Sequence, residues 1–75
     1  DDLNTLFTPG LYLIGDSVPG HTPNNVTWAS VEVRFYQGYY VEQIARPASS
    51  AFYVRRYIGS PATWETWCRF AGTAI

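Results

Sequence analysis

Seventy-five residues make one domain. A chain this short buries only about 60–65% of its unfolded surface and needs an added source of stability. A lone cysteine, Cys68, excludes an internal disulfide, and a single histidine, His21, leaves metal ligands scarce. The net charge of −1 gives no electrostatic reason to bind nucleic acid or an anionic membrane. No apolar run approaches the ~18 residues of a membrane-spanning helix.

Composition points toward assembly. Charged residues are 15% of the chain, against about 25% in average soluble domains. Every basic residue is an arginine: Arg34, Arg46, Arg55, Arg56 and Arg69. Aromatics reach 17%, a bias shared by subunit interfaces and by thin β-cores filled with rings. With no methionine and no signal-peptide pattern, the chain is expected to be a fragment of a longer protein.

In chain order, residues 1–8 suit a short helical turn capped by Asp2 or Asn4. Leu11 through Ile14 form a continuous apolar run, expected as a short strand buried on both faces. The prolines, asparagines and glycine of residues 16–25 mark a loop. Alternation predicts a strand over residues 27–36, with Ala29, Val31, Val33 and Phe35 on one side. Trp28, Ser30, Glu32, Arg34 and Tyr36 then share the other.

Gln37-Gly38 predicts a two-residue hairpin into a strand over residues 39–46. That register opposes Tyr36 to Tyr39, Arg34 to Val41 and Glu32 to Gln43 on one side. On the other it opposes Phe35 to Tyr40, Val33 to Glu42 and Val31 to Ile44. A further strand over residues 50–58 separates Phe52, Val54, Arg56 and Ile58 from Ala51, Tyr53, Arg55 and Tyr57. A last strand over residues 63–70 separates Trp64, Thr66, Cys68 and Phe70 from Glu65, Trp67 and Arg69. The expected fold class is all-β, a small antiparallel meander sheet or sandwich of four to five strands. Both faces carry large apolar groups, so the N-terminal segment is expected to cover one and a partner chain the other.

Catalytic chemistry finds little support. Gly15-Asp16-Ser17 resembles the nucleophile block of the GDS-type esterases. Its serine would need a histidine base and an orienting carboxylate. His21, four residues on in the same loop, is badly placed for that, so the stretch reads as a turn capped by Asp16 and Ser17. Cys68, alternating with Trp64 and Phe70, reads as a small buried hydrophobe. His21 reads as a solvated loop residue, with metal binding on a three-fold axis as the alternative. Asn25-Val26-Thr27 matches a glycosylation sequon that matters only in a secreted eukaryotic protein. Glu32 and Glu42 are expected on opposite faces, so they form no glycosidase dyad. No catalytic residue, metal site or cofactor is expected.

Aromatic rings stack on the apolar faces of sugars, and arginine forks bind their polar groups. Tyr36, Tyr39 and Tyr40 cluster at the hairpin end and, with Arg34 and Tyr57, form the candidate ligand-binding set. Trp28, Trp64 and Trp67 are read as core or subunit contacts.

The opening Asp2-Leu3-Asn4-Thr5-Leu6, followed by Thr8-Pro9-Gly10-Leu11-Tyr12, resembles the start of the pyocin-knob domain. Such knobs occur in tail fibres of R-type pyocins and of phages. Phe52-Tyr53-Val54-Arg55-Arg56, a glycine-containing turn and Thr63-Trp64-Glu65-Thr66-Trp67 extend the match. They are similar to the family's Tyr-x-Arg strand and Trp-x-x-Trp. Trp28 through Val33 resembles its central strand, and together these stretches span residues 2–72. The resemblance implies one non-enzymatic knob, residues 1–75, of a homotrimeric tail fibre or tailspike. Its place would be the virion fibre, or a pyocin-like particle, at the bacterial surface. There it would adsorb to polysaccharide such as lipopolysaccharide or capsule. Tyr53, Arg55, Trp64 and Trp67 would be its structural motif, with Arg55 stacked between the two tryptophans or bonded to a buried carbonyl. Specificity would fall in residues 15–27 and 36–50. A purely structural trimerisation or folding module of a larger tailspike or depolymerase is the alternative.

Overall fold

The computed structural model describes residues 2–36, 40–48, 51–59 and 61–72. Its six strands are β1 (Gly10–Ile14), β2 (Ala29–Tyr36), β3 (Tyr40–Pro47), β4 (Ala51–Gly59), β5 (Ala62–Trp64) and β6 (Cys68–Ala71). They form one antiparallel sheet in the order β1-β2-β3-β4-β5, with β6 also on β4. Two short 3-10 turns, Leu3–Thr5 and Pro23–Asn25, lie outside the strands. The all-β meander expected from alternation is therefore the fold.

The β2–β3 register differs by one residue from the two-residue hairpin. Tyr36 opposes Tyr40, Phe35 opposes Val41, Arg34 opposes Glu42 and Val33 opposes Gln43. Three residues, 37–39, separate the strands, and Tyr39 lies outside the described residues. The shift has a clear physical cause. In the two-residue register Glu42 would share the buried face with Val31 and Val33, and an unpaired carboxylate there is costly. One step along, Val41, Gln43 and Ala45 take that face, and all three are buried. Glu42 moves to the opposite face, where its register neighbours are Arg34 and Arg56. Glu32 and Glu42 consequently share a face rather than opposing each other.

β5 and β6 are one strand interrupted by a bulge. Trp64 opposes Tyr57 and Cys68 opposes Val54. Arg55 and Arg56 therefore face Glu65, Thr66 and Trp67, two residues against three. The Glu65 amide still donates to the Arg56 carbonyl at 2.8 Å. An extra residue reverses side-chain alternation beyond it. Strict alternation would place Trp64 and Trp67 on opposite faces; the bulge brings both indoles to Arg55.

One face of the sheet carries the core, formed by Ile14, Ala29, Val31, Val33, Val41, Ala45 and Tyr53. Leu6, Tyr12, Val26, Tyr57, Trp64 and Trp67 pack against it. The N-terminal turn covers this face, as expected: Leu3 is buried and its amide donates to the Gly20 carbonyl at 3.0 Å. Asp2 caps the turn by accepting from the Asn4 amide at 2.8 Å.

The other face has no covering layer among the described residues. Leu11 and Leu13 are 69% and 84% exposed, so β1 is not buried on both sides; only its Ile14 is buried. An edge strand of a one-layer sheet has protein on a single face. Phe52 and Phe70, also exposed, stack at 5.2 Å between ring centres. Cys68 lies exposed here rather than buried, because the bulge turns it away from the core face.

Candidate functional site

Covering one face of a sheet with an irregular N-terminal segment requires partners for that segment's carbonyls. Gln43, fully buried in mid-sheet, supplies them. Its Nε2 donates to the Leu3 carbonyl at 2.7 Å and the Leu6 carbonyl at 3.0 Å. Its Oε1 accepts from Arg55 Nε at 3.0 Å. Only an amide side chain can donate and accept in this way.

Arg55 is 4% exposed. Its guanidinium carbon lies 4.1 Å from the Trp64 ring centre and 4.6 Å from that of Trp67. The charge is held by π faces rather than a carboxylate. Desolvation by burial lowers its pKa to about 10, and the Asp2 charge opposes the shift. The tryptophans extend the network: Trp64 Nε1 donates to the Asn4 carbonyl at 3.1 Å, and Trp67 Nε1 to the His21 carbonyl at 2.9 Å. Tyr53 packs in the adjoining core. Arg55 and the two tryptophans therefore join the loops to the sheet.

No family model, curated protein or solved structure matches the chain.

Of the candidate ligand residues whose side chains are described, Arg34 and Tyr40 share the open face and Tyr57 lies on the covered one. Arg34 pairs with Glu32 at 3.1 Å, across from Glu42 on the open face. Tyr40 hydrogen-bonds the Arg56 guanidinium, which is also held by Glu65 through bonds of 2.8 and 3.0 Å. Glu65 first, then Tyr40, raises the Arg56 pKa. Tyr57 faces the other way, against Phe7 at 5.0 Å and Trp64 at 5.1 Å. Tyr36 pairs with Tyr40 in the ladder, while its side chain lies outside the described residues, as does Tyr39.

His21 is engaged by Asp2, with Nδ1 2.8 Å from Oδ1. Among the described residues, no group of three His, Cys, Asp or Glu side chains could hold a metal ion. No described helix is long and apolar enough to cross a membrane.

The Asn4 amide, then His21, holds the Asp2 carboxyl below its ordinary value of 3.8. Arg46 chiefly, with Arg34, holds Glu32 below 4.5. A depressed carboxylate stabilises the fold above its unfolded pKa, and that contribution disappears as the pH falls through the folded one. The melting temperature should therefore decline on acidification from about pH 4.5, and more steeply below 3.8. Asp2→Ala should flatten the lower part of that profile. A pH-independent melt between 5 and 2 would refute this, measured by circular dichroism across roughly that range.

A residue that alternation assigned to β2 stands out instead. Trp28 precedes the strand with φ of 52°, the left-handed region that bulky side chains avoid. Its amide donates to the Gly15 carbonyl at 3.1 Å, and its side chain is 68% exposed rather than packed in the core. It lines an open cleft of about 380 Å3 with Leu13, Ser30, Arg46 and Pro47. Arg46, which lines the cleft with the indole, donates from Nη1 to Glu32 Oε1 at 3.0 Å. Nothing in the residue pattern distinguishes this tryptophan from one inside the strand; only the backbone conformation does.

Proposed function

We propose that this chain is a non-catalytic knob of a phage or phage-like tail fibre or tailspike that binds a glycan on the bacterial surface. The observation that carries the reading is Trp28. Its backbone conformation costs on the order of 1–2 kcal/mol, and its exposed indole gains little packing within the chain. Strain that holds an aromatic plane open to solvent in a cleft shared with an arginine suits stacking against a pyranose ring. The hydroxyls of such a ring would find a donor in Arg46 and a hydroxyl partner in Ser30, both of which line the cleft. The resemblance of residues 2–72 to pyocin knobs points the same way.

Binding of lipopolysaccharide and capsular polysaccharides, immobilised and compared between the wild type and Trp28→Ala, tests the reading. Trp28-dependent capture is expected. Absence of capture, or capture indifferent to Trp28, would count against it.

The uncovered face favours a second reading, a trimerisation module of a larger tailspike. Leu11 and Leu13 on β1, and Phe52 and Phe70 on β4 and β6, are two exposed apolar pairs on this face, and exposed apolar groups are of the kind subunits bury. Under this reading light scattering finds trimers in the wild type, and Leu13→Arg shifts them to monomers. A wild type that stays monomeric at high concentration removes this reading.

A further inference from the structure

Of the five arginines, four are engaged. Arg34 and Arg46 pair with Glu32, Arg56 with Glu65, and Arg55 lies against two indoles. Arg69 is exposed and, among the described residues, makes no ion pair or hydrogen bond. It opposes Tyr53 in the ladder, on the covered face. It lines a groove of about 390 Å3 with Thr22, Asn24, Tyr53, Thr66 and Trp67.

That groove has a built wall. Trp67 is fixed through Nε1 to the His21 carbonyl and by its ring against Arg55. Thr22 Oγ1 donates to the Pro19 carbonyl at 2.7 Å, which leaves its oxygen free to accept. Asn24, exposed and with φ of 51°, lines the groove from a 3-10 turn. None of the lining side chains is a carboxylate, so the unpaired cation defines the charge there.

We propose that this groove binds an acidic sugar residue, with its carboxylate on the Arg69 fork and its ring against Trp67. A guanidinium fits a carboxylate through paired N–H donors. Tyr53 and Trp67 offer apolar and aromatic surface to the ring, and Thr22, Thr66 and Asn24 offer partners for its hydroxyls. A nucleic acid is disfavoured, because a groove with a single arginine, on a chain of net charge −1, does not track a phosphate backbone. The inference rests on the glycan-binding reading and adds a second contact region with a charge preference.

The test is a nitrogen-15 NMR titration at constant ionic strength with glucuronate, glucose and acetate. Glucuronate should move the Arg69 Nε–H and Trp67 Nε1–H signals and bind about fivefold more tightly than glucose. Arg69→Gln should remove that preference and leave the glucose response intact, and Arg69→Lys should restore part of it. Acetate acting as strongly as glucuronate would show simple ion binding and overturn the proposal. So would equal responses to the two sugars, or a preference that survives Arg69→Gln. The Trp28 Nε1–H signal separates the two readings. Sugar that moves Trp28 but not Arg69 sinks this inference alone. Sugar that moves the Arg69 groove but not Trp28 sinks the Trp28 platform alone. Sugar that moves neither sinks both.

Discussion

Arg55→Ala should destabilise the domain by about 3 kcal/mol, a large share of the roughly 4–11 kcal/mol expected for 75 residues. The change removes two cation–π contacts at 4.1 and 4.6 Å and the packing of a buried stem. It also strands Gln43 Oε1, whose donor is Arg55 Nε, and an unpaired buried acceptor costs about 1–3 kcal/mol. Relief of desolvating the cation offsets part of the loss, which is why the net stays near 3. Arg55→Lys keeps the charge but not the plane that lies over the indoles, so it should rescue less than half. Chemical denaturation followed by tryptophan fluorescence gives the comparison. A midpoint unchanged in Arg55→Ala would mean that the N-terminal turn docks without this network.

Trp28→Gly and Trp28→Ala should separate stability from binding. Glycine accepts a φ of 52° without strain, whereas alanine keeps the strain and loses only an exposed ring. The glycine variant should therefore be more stable than the alanine variant by about 1 kcal/mol. Both should lose about tenfold or more in affinity for whichever polysaccharide the wild type captures, because each lacks the stacking surface. A glycine variant that melts below the alanine variant would show that the left-handed backbone at Trp28 is unstrained. Unchanged affinity in both would remove Trp28 from the binding surface.

The strands were legible because alternation survives wherever one face is buried. Val31 and Val33 on β2 and Tyr53 on β4 took the buried face that their spacing predicts. Two things were not legible, and both are one-residue events. The hairpin pattern Gln37-Gly38 suggests a tight turn, but the cost of burying Glu42 decided the register. Placing that carboxylate beside Arg34 and Arg56 identifies Gln43 as the inward residue. The bulge at Glu65, Thr66 and Trp67 has no marker in alternation, since it breaks the very period used to read it. The Trp-x-x-Trp spacing is its trace, because two indoles three apart reach one face only across an extra residue. How the candidate binding residues divide between the faces was hidden for a related reason. Ring content near the hairpin said nothing of which face each ring takes, nor of the backbone angle that exposes Trp28.

The link between the two ends of the chain bears on when this domain can form during synthesis. Trp64 bonds the Asn4 carbonyl across 60 positions, and Trp67 bonds that of His21 across 46. The first turn of the chain therefore has no finished seat until nearly the last strand has left the ribosome. Contacts so distant along the chain slow folding, and a nascent sheet lacking its final strand would show its unfinished apolar face to neighbouring chains. A domain wired this way closes only once its final strand is free, and a chaperone or a sister chain would find its moment of access in the interval before that.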